Sequence, residues 1–384
     1  MRILFSCFPG YGHLHPLLPL ARAAQRAGHE VVIATGPGMA GRAAAFGFET
    51  WAVGLGQEEI GARLEAEFVE VPGRTPMQRL RLLAPLLFVE IGARPRVGEM
   101  LARMGSWRPD VVVHEYSELS APVAAARLGV PAVQHGFGPL PPAELLATMD
   151  DPLSVLASDF GVSDLPADPL YLDPSPPSLS VAGGAVPPRT LPIGITRSDP
   201  APWEELPAGL SSLPYDETVY VTLGTVVNKR DGALARLLAS VSELEANVVM
   251  TVGPDVDVLQ FGPVPDNVLL ERWVPQALLL PHCVAMVSHA GAGTMLGGLA
   301  AGLPSLLVPL GADQFFNASA AAAAGAARVM ELGDVSAEAI SDVMADAALR
   351  SGAERVAGEL AAMPSPSAAL DAVLREAVLS GVPG

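Results

Sequence analysis

The sequence predicts an α/β protein built as two doubly wound domains, each a parallel sheet flanked by helices. Three observations carry this. Short runs rich in β-branched residues alternate with segments of helical pattern, which puts crossover helices between parallel strands. A chain of 384 residues is long for one hydrophobic core, so two domains of roughly 150 to 200 residues each are expected. In the middle, RSDPAPWEELPAGLSSLPYD (197–216) sets prolines among polar residues and reads as an interdomain linker, after which the alternation restarts.

In the first half, RILFSCF (2–8) is apolar, carries one charge and is closed by Pro9 and Gly10. It reads as a first strand, because a secretory signal would end in a small-residue cleavage site. A helix is expected from Pro16, which has no N–H to leave unpaired in a first turn, to about Gly28. EVVIAT (30–35) and FETWAV (48–53) are the next strands, with a small-residue helix to Phe46 between them. Residues 54–106 read as loop and long helix, more than a minimal crossover needs, and such extra material often shapes a ligand site. DVVVHE (110–115), a helix over 118–128 and VPAVQ (130–134) continue the alternation.

After the linker, TVYVTLG (218–224), ANVVMTVG (246–253), NVLLERWV (267–274), VAMVSHAG (284–291), PSLLVPLG (304–311) and AARVME (326–331) read as strands of a second sheet. Helices are expected over 231–243, from about Gly293 and from Asp313. The domains are thus 1–200 and 217–364, with 365–384 a C-terminal helix expected to pack back on the first domain. From Ala277 to Ala312 there is no Asp, Glu, Lys or Arg, enough for the ~20 residues of a membrane span. Pro281, Gly291, Gly293, Gly302, Pro304 and Pro309 divide it, so buried strand, loop, helix and strand is the reading.

The composition excludes some partners. A formal net charge of -18 leaves no basic stripe to displace counterions from a phosphate backbone, so nucleic acid is not expected, and any anionic ligand must be held by local dipoles. Two cysteines, Cys7 and Cys283, cannot make a disulfide framework; in apolar surroundings they read as core residues of a cytoplasmic protein. No membrane association is expected, and a monomer or homodimer is.

In open parallel sheets, ligands sit beyond the carboxyl ends of strands and anions sit on helix N-termini. HAGAGT (289–294) is such a place: a strand ends, two glycines allow close approach, and Thr294 brings a hydroxyl to the helix start. Gly224 and Thr225 form a second glycine loop. Asp313 and Gln314 set a carboxylate beside a carboxamide, suited to adjacent sugar hydroxyls, although Asp313 alone also fits a helix cap. Trp273 offers a flat face for a base.

Together these residues resemble the nucleotide-sugar signature of GT-B natural-product glycosyltransferases: Trp273-Val274-Pro275-Gln276, His282, His289 to Thr294, Ala301-Gly302-Leu303-Pro304 and Asp313-Gln314. The chain is similar over nearly its whole length to the actinobacterial antibiotic enzymes. The resemblance implies a GT-B fold with the two domains facing a cleft. It assigns Trp273 and the Val274 backbone to the base, and His289 with the backbone of Gly291, Ala292, Gly293 and Thr294 to the diphosphate; the loop of Gly224 and Thr225 is placed to meet the same anion, and Gln276 is a further donor-binding candidate. Asp313 and Gln314 are assigned to the donor sugar. Relatives that use UDP-sugars carry a Glu three residues after the position of Thr294, where it accepts from the ribose hydroxyls; here that position is Gly297. A carboxylate suits a vicinal diol, so its absence favours a dTDP-sugar, and hence a deoxysugar, as co-substrate.

PGYGHLHPL (9–17) brings two histidines. With Pro16 opening the helix, His15 falls at the cap and His13 in the turn, where Gly10 and Gly12 give the backbone freedom to aim its ring. A histidine is the usual general base near neutral pH, and the resemblance, through its G-H-x-x-P motif, implies that role for His13. A base histidine works best with a carboxylate on its other ring nitrogen. Asp110 and Glu115 flank one strand, and Glu115 lies at the end where ligands bind; His114 and Glu118 are close enough to compete. The expected reaction is displacement with inversion at the anomeric carbon of a nucleotide-sugar donor by a hydrophobic aglycone, without metal or other cofactor. Gly12, Phe68, Phe88 and Phe137 are candidate acceptor contacts.

Other signals carry less. Asp255-Val256-Asp257 matches a metal-binding DxD pattern but lies in a Gly/Pro loop without a further acidic cluster, and GPGMAG (36–41) follows the second strand, not the first as a dinucleotide fingerprint would. The alternatives that remain are a UDP-sugar transferase, a nucleotide-sugar epimerase or hydrolase, and a non-catalytic nucleotide-sugar-binding protein.

Overall fold

The apolar run after Met1 forms β1 (Arg2–Ser6), the centre of a seven-stranded sheet, in a computed structural model of the chain. It describes residues 1–68, 73–181, 183–184, 186–194, 204–224 and 232–380. With β2 (Glu30–Thr35), β3 (Glu49–Ala52), β4 (Val111–Glu115), β5 (Ala132–His135), β6 (Leu170–Asp173) and β7 (Thr190–Pro192), the order is β3-β2-β1-β4-β5-β6-β7. Every pairing is parallel. The order reverses between β1 and β4, whose ends meet at Ser6 and His114, and a crevice opens at such a point. β4 is buried at every position, as a strand covered on both faces must be. β6 and β7 have no counterpart in the sequence reading. They are short, lie toward the sheet edge, and sit in a proline-rich stretch that hides the alternation.

The helix expected from Pro16 starts earlier. Tyr11–Leu14 is already one α-helical turn, His15–Leu17 is 3-10 helix, and Leu18–Arg26 continues as α-helix. Pro16 and Pro19 lack the amides a continuous ladder would use, so the path is broken into pieces without leaving it. His13 is therefore inside a helical turn and His15 in the 3-10 segment, not in a loop and at a cap.

Residues 54–106 are more helical than expected: Gln57–Glu67, Pro76–Ala84, a π-helical stretch Pro85–Ala93, and Arg94–Trp107. Pro85 cannot donate, which favours a register shift at its start. A Cβ on Gly92 would stand 2.9 Å from both the Leu87 carbonyl and the Phe8 ring, so the wide turn depends on that glycine. π-turns recur where function needs an altered side-chain direction.

The second sheet has β8 (Thr218–Thr222), β9 (Asn247–Thr251), β10 (Val268–Glu271), β11 (Ala285–Ser288), β12 (Ser305–Leu307) and β13 (Ala327–Val329), in the order β10-β9-β8-β11-β12-β13. It too is parallel throughout and reverses between β8 and β11. The uncharged stretch 277–312 divides into a helical turn Gln276–Leu279, β11, the helix Ala292–Ala300 and β12. Among the described residues no helix is long and apolar enough to cross a membrane.

The chain divides into two units, one of Met1–Pro174, Ala182–Thr196 and Pro364–Gly384 and the other of Ser175–Val181 and Arg197–Met363. The helix Pro366–Ser380 buries Ala369, Leu370, Val373 and Ala377 in the core of the first sheet. The linker is not all spacer. Its residues 197–203 lie outside the described ones, but Leu206, Leu210 and Leu213 pack on the second core beside Tyr220 and Val274.

Candidate active site

In the first unit, β4 ends on Glu115, and the helical turn after β1 carries His13 to it. His13 Nδ1 stands 2.9 Å from Glu115 Oε2, and Glu115 is wholly buried whereas the His13 side chain is about one-fifth exposed, at 21%. Ser117 donates to Glu115 Oε1 from both its amide and its hydroxyl, each at 2.6 Å. Its Oγ lies 3.3 Å from His13 Nδ1, and the Phe8 amide reaches Oε2 at 3.5 Å. Burial pushes the Glu115 carboxyl upward, but the His13 charge and hydrogen bond and the two Ser117 donors outweigh it, so Glu115 titrates below the ordinary range. Asp110 sits at the opposite end of β4, where it accepts from the Arg2 amide at 2.7 Å.

The turn after β4 is itself braced by buried groups, among them His114 and Glu118, which the sequence offered only as rivals to Glu115. His114 Nδ1 meets the carbonyls of Glu115 at 3.2 Å and Glu118 at 3.1 Å. With burial holding its ring neutral, that nitrogen donates. Glu118 accepts from the amides of Ser120 and Ala121 at the start of the helix Ser120–Leu128. Arg96, 3% exposed, donates to the carbonyls of Cys7 at 2.9 Å and Ala34 at 2.8 Å, the ends of β1 and β2, and lies 3.7 Å from Glu118. An unpaired buried charge costs several kcal/mol, so each partner holds the other in place. Arg96, inside the helix Arg94–Trp107, carried no signal in the sequence.

Three part-exposed rings surround His13: Phe137 at 4.8 Å between centroids, Phe8 at 5.3 Å and Phe88 at 6.5 Å. Tyr116 stacks on Phe137 at 4.7 Å. The π-helical stretch delivers Phe88, which meets Phe8 edge-on at 5.3 Å. Phe68 caps the helix Gln57–Glu67, and Gly12 is exposed. Neither glycine at this turn is there for backbone freedom, contrary to the expectation: Gly10 has φ -161, extended backbone open to any residue, and Gly12 is helical. What Gly10 supplies is space, since a Cβ there would stand 3.0 Å from the His13 ring. His15 packs edge-on to Tyr11 and Phe46, both at 5.8 Å, and burial, helped by Arg42, lowers it to about 4.

In the second unit, β11 ends at Ser288 and the helix Ala292–Ala300 follows, with Gly291 at its cap. Between them Ala290 takes φ 62, a left-handed conformation that costs an L-residue about 1–2 kcal/mol. The Asn317 carboxamide, fully buried, donates to the Ala290 carbonyl at 3.0 Å and to Asp313 Oδ2 at 2.7 Å, tying the two loops together. Ala312, just before Asp313, is left-handed too, at φ 52.

His289 fills a slot made by two glycines. A Cβ on either Gly224 or Gly291 would fall within 3 Å of its ring, closest to Nε2. Gly224 also needs φ 74, whereas Gly291 at φ -59 is glycine for space alone. Burial lowers His289 to about 4, against a smaller upward pull from the Thr222 backbone, so its ring is neutral at physiological pH. Thr225 lies outside the described residues.

A chain of hydrogen bonds runs beneath these loops. Gln276 Nε2 donates to Thr294 Oγ1 at 3.1 Å and to Tyr220 Oη at 3.2 Å. Tyr220 meets Thr251 at 3.0 Å, Thr251 donates to Thr222 at 2.8 Å, and Thr222 Oγ1 accepts from the Gly224 amide at 3.2 Å. The sequence singled out its two ends and missed Tyr220, Thr222 and Thr251, which read as ordinary strand residues. Gln314 is turned inward: its Oε1 accepts from the amides of Leu310 at 2.8 Å and Gly311 at 3.0 Å. Trp273 lies past the end of β10 and is 41% exposed, while Val274 beside it is buried. Asp257 of the DxD pattern caps a 3-10 turn through the Leu259 amide and lies 3.5 Å from Arg272.

Family models described as erythromycin biosynthesis protein CIII-like match the chain in two blocks, the N-terminal domain over residues 87–194 and the C-terminal domain over 235–375. The elloramycin glycosyltransferase of Streptomyces olivaceus is 33% identical over 377 residues, covering 96% of this chain and 95% of that protein. The chain belongs to this family of natural-product glycosyltransferases. Solved structures agree. The glycosyltransferase SnogD from Streptomyces nogalater superimposes with a TM-score of 0.79 at 29% identity, covering 99% of each chain. Glycosyltransferase VinC, solved in complex with dTDP, gives 0.80 at 26% identity, covering 99% of this chain and all of that one. The two parallel-sheet units of this glycosyltransferase are therefore those of the GT-B fold.

Proposed function

We propose that this glycosyltransferase moves a deoxysugar from a dTDP-sugar to an apolar natural-product aglycone, with inversion, His13 being the general base. The observation that carries this is the 2.9 Å contact between His13 Nδ1 and the buried Glu115 carboxylate. A carboxylate on Nδ1 fixes the tautomer with its proton there, so Nε2 keeps the lone pair that takes the acceptor's hydroxyl proton. The acceptor oxygen attacks the anomeric carbon as the bond to the diphosphate breaks, and the imidazolium formed is stabilised by Glu115. Phe8, Phe88 and Phe137 give the acceptor an apolar wall around the base.

The second unit takes the donor. Trp273 stacks the base, the Val274 backbone and Gln276 hold the nucleoside, and the amides at the start of the helix Ala292–Ala300 meet the departing negative charge. With its ring neutral, His289 acts there as a hydrogen-bond donor instead of a cation. Asp313 and the Nε2 side of Gln314 hold sugar hydroxyls. The dTDP preference rests on Gly297, where a Cβ would stand 3.6 Å from Gln276 Oε1, so no carboxylate reaches a ribose diol from that position. The dTDP complex of the similar VinC supports the same nucleotide. No step requires a metal.

The test pairs binding with turnover. Thermal-shift titration should show dTDP binding more tightly than UDP, and tighter UDP binding would overturn the donor assignment. On a panel of aglycones, His13→Ala should lose turnover by ~10²- to 10⁴-fold while keeping its dTDP shift.

A further inference from the structure

We infer that Ser117 is a positioning residue for the dyad, fixing the Glu115 carboxylate so that one oxygen serves His13 alone among side chains and the His13 tautomer stays single. This rests on the reading of His13 as base. Ser117 is fully buried, and both of its donors converge on Oε1 at 2.6 Å. Oε2 is left to His13 and to the longer contact from the Phe8 amide. With the Ser117 hydroxyl proton directed at Oε1, its oxygen presents a lone pair to His13 Nδ1 at 3.3 Å. The Nδ1 proton is thus shared between two acceptors, and neither neighbour can donate to that nitrogen. A ring with its proton on Nε2 would set two lone pairs, on Nδ1 and Oε2, against each other at 2.9 Å.

The other groups around the carboxylate do not duplicate this. His135, from β5, is held near 4 by burial and stays neutral. Cys7, after β1, is pushed up to about 12, and Tyr171, from β6, well above its usual value, so both stay protonated. His114 faces the backbone of the turn, and Arg96 and Glu118 face each other. Among the described side chains, hydrogen bonds to Glu115 come from His13 and Ser117 only.

Removing the hydroxyl leaves more negative charge on the carboxylate facing Nδ1, which favours the imidazolium. In protein labelled at histidine with ¹³C and ¹⁵N, His13 is assigned by its absence from the spectrum of His13→Ala. The wild type should show a single Nδ1–H tautomer. In Ser117→Ala the His13 titration midpoint should rise by about half a pH unit or more and the tautomers should mix, while the nearly isosteric Ser117→Cys, a weak donor, should fall between. Circular dichroism and melting confirm that each variant folds. An unchanged midpoint and tautomer in both variants overturns the inference. Turnover by His13→Ala would instead overturn the base assignment, and the positioning role with it.

Discussion

The two units solve opposite electrostatic problems at equivalent places in their sheets. At the switch point of the first, a charge is built in: Glu115 is wholly buried, kept ionised, and surrounded by donors at 2.6 to 2.9 Å. At that of the second, charge is kept out. From Trp273 to Asn317 the only charged residue is Asp313, His289 is neutral, and two loop residues accept left-handed backbone. In the proposed reaction, one end supplies a fixed anion that steadies a cation formed in turnover. The other, in the same proposal, supplies shape and backbone dipoles for an anion that arrives with the donor.

The comparison predicts that the first end fails when a charge is removed and the second when space is filled. Glu115→Gln keeps the volume and removes the charge. It should lower turnover by ~10²- to 10⁴-fold with the dTDP thermal shift intact; near-normal turnover would show that the anion is dispensable. Gly291→Ala adds one methyl against the His289 ring. Its dTDP affinity should fall by about tenfold or more, ~1.4 kcal/mol, without moving the His13 titration. Affinity unchanged by that methyl would mean that the glycine slot does not position the donor loop.

A smaller effect separates the units by acid. His15, His135 and His289 are each lowered to about 4 from 6.5. Above pH 6.5 neither the folded nor the unfolded chain binds these protons. Between 6.5 and 4 the unfolded chain does and the folded one does not, so stability drains as pH falls through that window. His15 and His135 belong to the first unit, as does His114, also lowered, whereas His289 belongs to the second. Calorimetry from pH 7 to 4.5 should show the first unit's transition moving down further than the second's; equal movement would mean that these rings are solvated.

Much of this was legible in the residues. The β-rich runs, the helix starts and the glycine-punctuated strand ends are local patterns, and they placed His13, Glu115, His289 and Asp313 at the carboxyl ends of strands. The helix around His13 starts before Pro16, where a proline suits a first turn, because two prolines can sit in successive short turns of one path. The short strands β6 and β7, the second of them at the sheet edge, are hidden among prolines.

What the sequence determined by itself is the sheet-and-helix alternation and the order of its polar punctuation, because both depend on neighbours a few residues apart. Only the tertiary structure decided which groups meet. His13 closing on Glu115, two glycines more than sixty residues apart vacated for one imidazole, Asn317 joining two loops and Tyr220 linking Gln276 to Thr251 each bring together residues from separate elements. No local pattern encodes them, since burial and hydrogen-bond geometry exist only once the strands are side by side.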